Sequence, residues 1–155
     1  MNINESIKKY WIKTPQLFSE QYETSPLSLV SPVNLFLHAR RKRVLSILRD
    51  LKGKKVLDVG CGSGVFVVEF VKRGASVIGI DYSKKMIKLA ENETEKYKLP
   101  KNKFKLQIAG ATNLPFKNNY FDIILATGLT DYLSDLENEK FIKEASRTIK
   151  KGGHL

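Results

Sequence analysis

The sequence has one cysteine in 155 residues, Cys61, so no disulfide can form within the chain. That excludes a small disulfide-built scaffold and fits a reducing compartment. No apolar run approaches the ~20 residues that a membrane-spanning helix needs. The opening stretch, MNINESIKKYWIK, lacks the apolar centre of a signal peptide. Internal repeats and low-complexity segments are absent. A soluble cytoplasmic protein is therefore expected. Hydrophobic residues make up 42% of the chain, enough for a sizeable core, and the length suits one domain.

Acidic residues are scarce beside basic ones, 16 against 27, which leaves a formal charge of +11. Most of the excess is lysine spread along the chain. The dense cluster is HARRKR, His38 to Arg43. It reads either as a surface for nucleic acid or an anionic substrate, or as the solvated face of a helix. No aromatic-interleaved RNA motif accompanies it, which favours the solvated face.

Residues 3–23 are polar with scattered aromatics (Tyr10, Trp11, Phe18, Tyr22) and suggest short helices broken near Pro15. TSPLSLVSPVN reads as a loop. From Asn34, apolar residues from Leu35 to Leu51 recur at helical spacing among arginines, predicting an amphipathic helix that ends near Gly53. Residues 1–52 are taken as a helical extension or lid, and 53–155 as the core. Within the core, KVLDVG, ASVIGID, FKLQIAG and YFDIILAT read as four strands. Helices alternate with them: one stops at Gly74, one starts behind Ser83, and one, LENEKFIKEASRTIKK, starts at a Ser134/Glu137 capping box. This alternation predicts an α/β fold, a doubly wound parallel sheet in a three-layer αβα arrangement. Ligands of such sheets bind at the carboxyl ends of the strands.

There, VLDVGCGSGVF places Gly60, Gly62 and Gly64 between the first strand and the helix that follows. A tight turn needs one glycine; three at alternate positions suit a close backbone approach to a ligand. The dinucleotide fingerprint G-x-G-x-x-G also uses this position, but Val65 stands where its third glycine belongs. Asp58 would face the two phosphates of a dinucleotide. A carboxylate there suits a ligand carrying positive charge, such as an amine or a sulfonium.

VLDVGCGSG resembles the first motif of the class I S-adenosylmethionine-dependent methyltransferases. VIGIDYSKKMIKLA, NLPFKNNYFDIILATGLTDYL and EASRTIKKGGHL resemble later motifs of the family, in order and at suitable spacing, over Lys54 to Leu155. The resemblance implies a Rossmann-like core with strand order 3-2-1-4 and S-adenosylmethionine as cofactor, leaving S-adenosylhomocysteine as product. It implies that the backbone of Gly60, Cys61, Gly62 and Gly64 packs on the methionine part, with Asp58 beneath. Asp81 would hold the ribose hydroxyls, with capping of the next helix as its other reading. Tyr82 and Met86 would border the adenine, Ala111 would lie at its edge, and Thr127 would complete the site. Many members carry an aspartate before that alanine, where it binds the adenine amino group; here the position is Gly110. Family members continue through a fifth strand and an antiparallel pair, so the chain is expected to stop before its fifth strand. The fourth strand would then be an open edge, inviting self-association.

Transfer of a methyl group from a sulfonium is an in-line displacement that depends on positioning. A base is needed only where the acceptor must lose a proton. The family has no universal catalytic residue, and the catalytic group is unknown. The candidates are Asp131 and Tyr132 after the fourth strand, and His38 if the preceding helix covers the site. No metal site is expected. The Pro-Pro-Tyr/Phe motif of adenine and amide N-methyltransferases is missing, as is the later cysteine of the cytosine enzymes. What is left resembles the small-molecule branch, of the ubiquinone/menaquinone and magnesium-protoporphyrin type. An RNA or protein acceptor, or a noncatalytic cofactor-binding fragment that needs a partner, stays open.

Overall fold

The structure is a computed structural model and describes residues 32–155. The aromatics Tyr10, Trp11, Phe18 and Tyr22 lie outside the described residues. The elements in chain order are α1 (Pro32–Ile47), β1 (Lys55–Val59), α2 (Val65–Lys72), β2 (Ser76–Asp81), α3 (Lys84–Lys96), β3 (Phe104–Ile108), β4 (Phe121–Leu125), α4 (Asp135–Thr148) and β5 (Ile149–His154). Short 3₁₀ turns occupy Lys101–Lys103 and Thr130–Tyr132.

The strands form one sheet of order β3-β2-β1-β4-β5, and every neighbouring pair is parallel. β1 is central and buried at four of its five positions, as its nearly continuous apolar run requires. Its side chains alternate between two cores. Val56 joins Phe66, Val67, Phe70 and Val71 of α2, with Val44, Leu45 and Leu48 of α1 and its following turn packed against them. Leu57 and Val59 join Phe121, Ile124 and the α4 residues Phe141 and Ala145 on the opposite face. The result is three layers, with α1, α2 and α3 contributing to one core and α4 to the other. Phe70, Phe121 and Phe141 are each less than 2% exposed. Burial of a side chain of that size stabilises the fold by roughly 1.5–3 kcal/mol.

Helix boundaries follow their local signals. Gly74, at φ +87°, closes α2 with Ala75 N–H donating to Phe70 O and Gly74 N–H donating to Val71 O, a Schellman ending. Ser83 Oγ accepts from Met86 N–H at the start of α3. The Ser134/Glu137 capping box starts α4. α1 departs from expectation at both ends. It begins at Pro32 rather than Asn34, since proline is tolerated in a first helical turn, and it ends at Ile47 rather than near Gly53. The turn at Gly53, φ +74°, is a separate feature in which Lys54 N–H donates to Leu51 O.

The fifth strand is present, contrary to the expectation that the chain stops before it. Ile149, Lys150 and Lys151, read as the tail of α4, belong to β5. Helical spacing carried on through them, but Thr148 and Ile149 turn into the sheet, and Ile149 pairs with Phe121. The pairing is irregular: Ile123 next meets His154, so the intervening residues bulge. Asp122 pins the bulge, with Oδ1 accepting from Lys150 Nζ at 2.7 Å and Oδ2 from Lys55 N–H at 2.8 Å. β4 is therefore interior, flanked by β1 and β5, and the edges are β3 and β5. The expected self-association through an open β4 loses its premise.

Candidate functional site

A cavity of about 490 Å³ opens at the carboxyl ends of the strands, as a parallel α/β sheet leads one to expect. Its floor is the glycine loop. Gly60 and Cys61 N–H both donate to Ile80 O, at 2.8 and 2.9 Å, which folds the loop over the end of β2. Gly60, Gly62 and Gly64 have φ of +72°, +53° and +82°, so all three need the left-handed region that glycine tolerates. Gly60 and Gly62 line the cavity. Gly64 serves a different purpose, because a Cβ there would lie 2.9 Å from the Ala90 Cβ and drive α2 from α3. Cys61 is buried behind the loop, and its thiol pKa is pushed well up by burial and by the carboxylates of Asp58 and Asp81. Both properties suit a small residue that fills the space behind the loop.

Two carboxylates sit at this end of the sheet. Asp81, the last residue of β2, lines the cavity. Its Oδ2 accepts from Gly62 N–H at 3.0 Å and its Oδ1 from Ser83 N–H at 2.8 Å. Each oxygen has a further lone pair, so the carboxylate keeps capacity for two more donors. Burial raises its pKa, against the lowering effect of those two backbone donors. Asp58 is 2% exposed, beneath the loop, and its Oδ2 has no hydrogen-bond partner among the described residues. Burial and the nearby Asp81 push its pKa up to about 7.

Beyond Asp81, Tyr82 and Met86 form one wall, and Ala109, Gly110, Ala111 and Thr112 the next. Ala109 N–H donates to Asp81 O at 3.1 Å, which holds the end of β3 against β2. On the opposite side Thr127, Gly128, Leu129, Asp131 and Tyr132 line the cavity. Leu129 packs on the glycine loop: a Cβ on Gly60 would meet its Cδ1 at 3.2 Å.

Of the residues singled out in the sequence, Gly60, Gly62, Asp81, Tyr82, Met86, Ala111, Thr127, Asp131 and Tyr132 share this cavity. Asp58, Cys61 and Gly64 lie under or behind the loop, and His38 is not in the wall. Sequence reasoning missed Arg40, which reaches the cavity from α1 together with Phe36 and Leu37. Its guanidinium lies where Gly128 has no side chain; a Cβ on that glycine would be 2.7 Å from the Arg40 nitrogen. The signal was its spacing three residues after the buried Leu37, obscured by the basic run around it. Arg41 of the same run pairs with Glu69, while Lys42 and Arg43 are exposed. The run is thus divided between cavity, ion pair and solvent. Gly79 was also missed: a Cβ there would lie 2.9 Å from both Leu106 and Val67 side chains.

Residues 56–153 match the family model described as a methyltransferase domain. The chain belongs to the class I S-adenosylmethionine-dependent methyltransferases. In this methyltransferase chain, 111 residues are 38% identical to a ubiquinone biosynthesis O-methyltransferase of Pelagibacter ubique, covering 72% of the chain and 44% of that relative. A phosphoethanolamine N-methyltransferase of Triticum aestivum is 30% identical over 151 residues, 97% of the chain and 29% of the relative. The chain thus spans less than half the length of these two relatives. The fold superposes on the crystal structure of magnesium protoporphyrin IX methyltransferase from Synechocystis PCC 6803 with a TM-score of 0.78 at 19% identity, covering 96% of this chain and 73% of that one. The cofactor of this methyltransferase family is S-adenosylmethionine. Among the described residues no helix is long and apolar enough to cross a membrane.

Proposed function

We propose that the chain holds S-adenosylmethionine in the cavity and delivers its methyl group to a small-molecule acceptor. Asp58 carries this reading. A buried carboxylate with an unpartnered oxygen beneath the glycine loop suits a positively charged ligand and repels a pyrophosphate. The other residues fit the same ligand. Asp81 has lone pairs free for the ribose hydroxyls, and its bonds to Gly62 and Ser83 fix its orientation. Gly60 and Gly62 present bare backbone to the amino-acid part. Arg40, beside Gly128, supplies a cation for its carboxylate. Tyr82, Met86 and Ala111 border the adenine.

Bound there, S-adenosylmethionine supplies a methyl group on a sulfonium sulfur, which an acceptor nucleophile takes in line. The protein's part is placement and exclusion of water. Phe36 and Leu37 from α1, with Leu129 and Leu133 from the β4–α4 connection, make the acceptor side largely apolar. Reading residues 1–52 as a covering extension rests on this contribution of α1. On the acceptor side Asp131 is the candidate to take a proton from an acceptor that must lose one, with the Tyr132 hydroxyl as a hydrogen-bonding group beside it. His38, outside the wall, is left without that role. The partition of HARRKR between cavity, ion pair and solvent favours a small acceptor over RNA. Incubation with methyl-labelled S-adenosylmethionine and fractionated cell extract tests this. Label is expected in the small-molecule fraction; label confined to RNA or protein would contradict it.

A further inference from the structure

Among the described residues, the wall at the Gly110 end of the cavity differs from the rest in carrying no charged side chain. Arg40, Asp131 and Glu137 lie on the other side, and Asp81 sits between. With the ribose at Asp81 and the amino-acid part at Gly60 and Arg40, the adenine must run the other way, over Tyr82 and Met86 toward residues 109–112. The purine joins the ribose through N9, and its exocyclic 6-amino group is at the opposite end of the ring. That group therefore comes to lie outermost, at Gly110 to Thr112.

Among the described residues the site is open here. Gly110 is exposed, and a Cβ built on it meets nothing within 4 Å among the described residues. Its neighbours Ala109 and Ala111 are small and half-buried, and Tyr82 on the facing wall is 48% exposed. Residue 110 has no side chain to bond the 6-amino group, and among the described residues none stands in front of it. Backbone groups and the Thr112 hydroxyl are the partners at hand, and one remaining N–H is enough to use them.

We propose that this methyltransferase accepts S-adenosyl compounds carrying a substituent on the 6-amino group, the substituent passing out over Gly110 into solvent. The inference rests on the cofactor reading above. Its consequence is a cofactor site that is selective at the ribose and the amino-acid end and permissive at the base.

Calorimetric titration of the chain with S-adenosylhomocysteine, its N6-methyl derivative and its N6-benzyl derivative tests it. The three dissociation constants are expected to agree within about threefold, as for a substituent left in solvent. Tight binding of the parent with a loss of about thirtyfold or more for the benzyl compound would overturn this inference and leave the cofactor reading intact. Failure of all three to bind would overturn both. Gly110→Asp supplies the second arm. Its φ is not in the left-handed region, so the substitution carries no backbone strain. The new carboxylate can accept from the amino group of the parent and stands in the path of the benzyl group. Gly110→Asp is expected to keep or improve binding of the parent and to weaken the benzyl compound about tenfold. An equal effect on both compounds, or none on either, would show that residue 110 is not at the amino group.

Discussion

The Asp81 carboxylate and the Gly62 amide are joined by a 3.0 Å hydrogen bond, while the other Asp81 oxygen holds Ser83 N–H at 2.8 Å. One side chain therefore ties the glycine loop of β1 to the first turn of α3. The residue assigned to the ribose is also the one that fixes the loop for the amino-acid part. Asp81→Ala should lower affinity for S-adenosylhomocysteine at least tenfold. It should also cost about 1–3 kcal/mol of stability, because two backbone donors lose their acceptor. Asp81→Asn, which can still accept on one oxygen, should recover much of the stability and little of the affinity. Calorimetry paired with chemical unfolding separates the two effects. Normal binding by Asp81→Ala would remove Asp81 from the site.

Asp58 gives the protein a pH dependence whose sign is fixed. Its pKa rises from 3.8 to about 7 on folding, so between those values the folded chain holds a proton that the unfolded chain has lost. Stability is then greatest at the acid end of that window, falls as pH rises toward 7, and is flat beyond. From about pH 5 to 7 the loss is roughly 2 kcal/mol. Asp58→Asn should remove most of the slope, leaving the part that Asp81, whose pKa burial also raises, contributes. Saturating S-adenosylhomocysteine should reduce it, because its ammonium group favours the ionised carboxylate. Melting temperatures across this range, with and without ligand, read both effects. Parallel curves for the variant and the parent would show that Asp58 does not titrate as argued.

Gly64 and Ala90 form a contact between helices rather than with ligand. Gly64→Ala combines a φ of +82° with a Cβ 2.9 Å from Ala90, and should destabilise by about 1–3 kcal/mol. Ala90→Gly should restore the part due to the clash but not the part due to φ. Denaturant midpoints of the two single variants and the double variant measure this. Full additivity would mean that the residues do not press on each other.

Arg40 should act on one end of the cofactor only. Arg40→Ala is expected to weaken S-adenosylhomocysteine about tenfold and to leave 5′-methylthioadenosine, which lacks the amino acid, within about twofold. Equal losses for both ligands would place Arg40 elsewhere in the site.

The parallel sheet, its first four strands and the helix caps were legible because each rests on a local signal: an apolar run, Gly74, Ser83, or the Ser134/Glu137 pair. The glycine loop was legible because three glycines at alternate positions after a strand suit a close backbone approach, and the place of Asp81 at the end of β2 was legible through the resemblance of VIGID to the family's second strand. β5 was not, because Ile149 to Lys151 prolong a helical pattern and only pairing with Phe121 and the Asp122–Lys150 contact turn them into a strand. Arg40 was hidden for a different reason. One arginine in a run of basic residues gains its meaning from Gly128, nearly ninety positions further along. Gly79 likewise depends on Leu106 and Val67 crowding it from other elements. Contacts distant in sequence leave no periodic trace, and these were the ones that had to come from the fold.

The central claim is that this glycine loop, with Asp58 beneath it and Asp81 beside it, is built for a cationic adenosyl ligand and not for a dinucleotide. Titration calorimetry with S-adenosylmethionine, S-adenosylhomocysteine and NAD tests it most directly. Saturable one-site binding of both adenosyl compounds, with no heat from the dinucleotide, is the predicted result. Binding of NAD without a response to either adenosyl compound would contradict it.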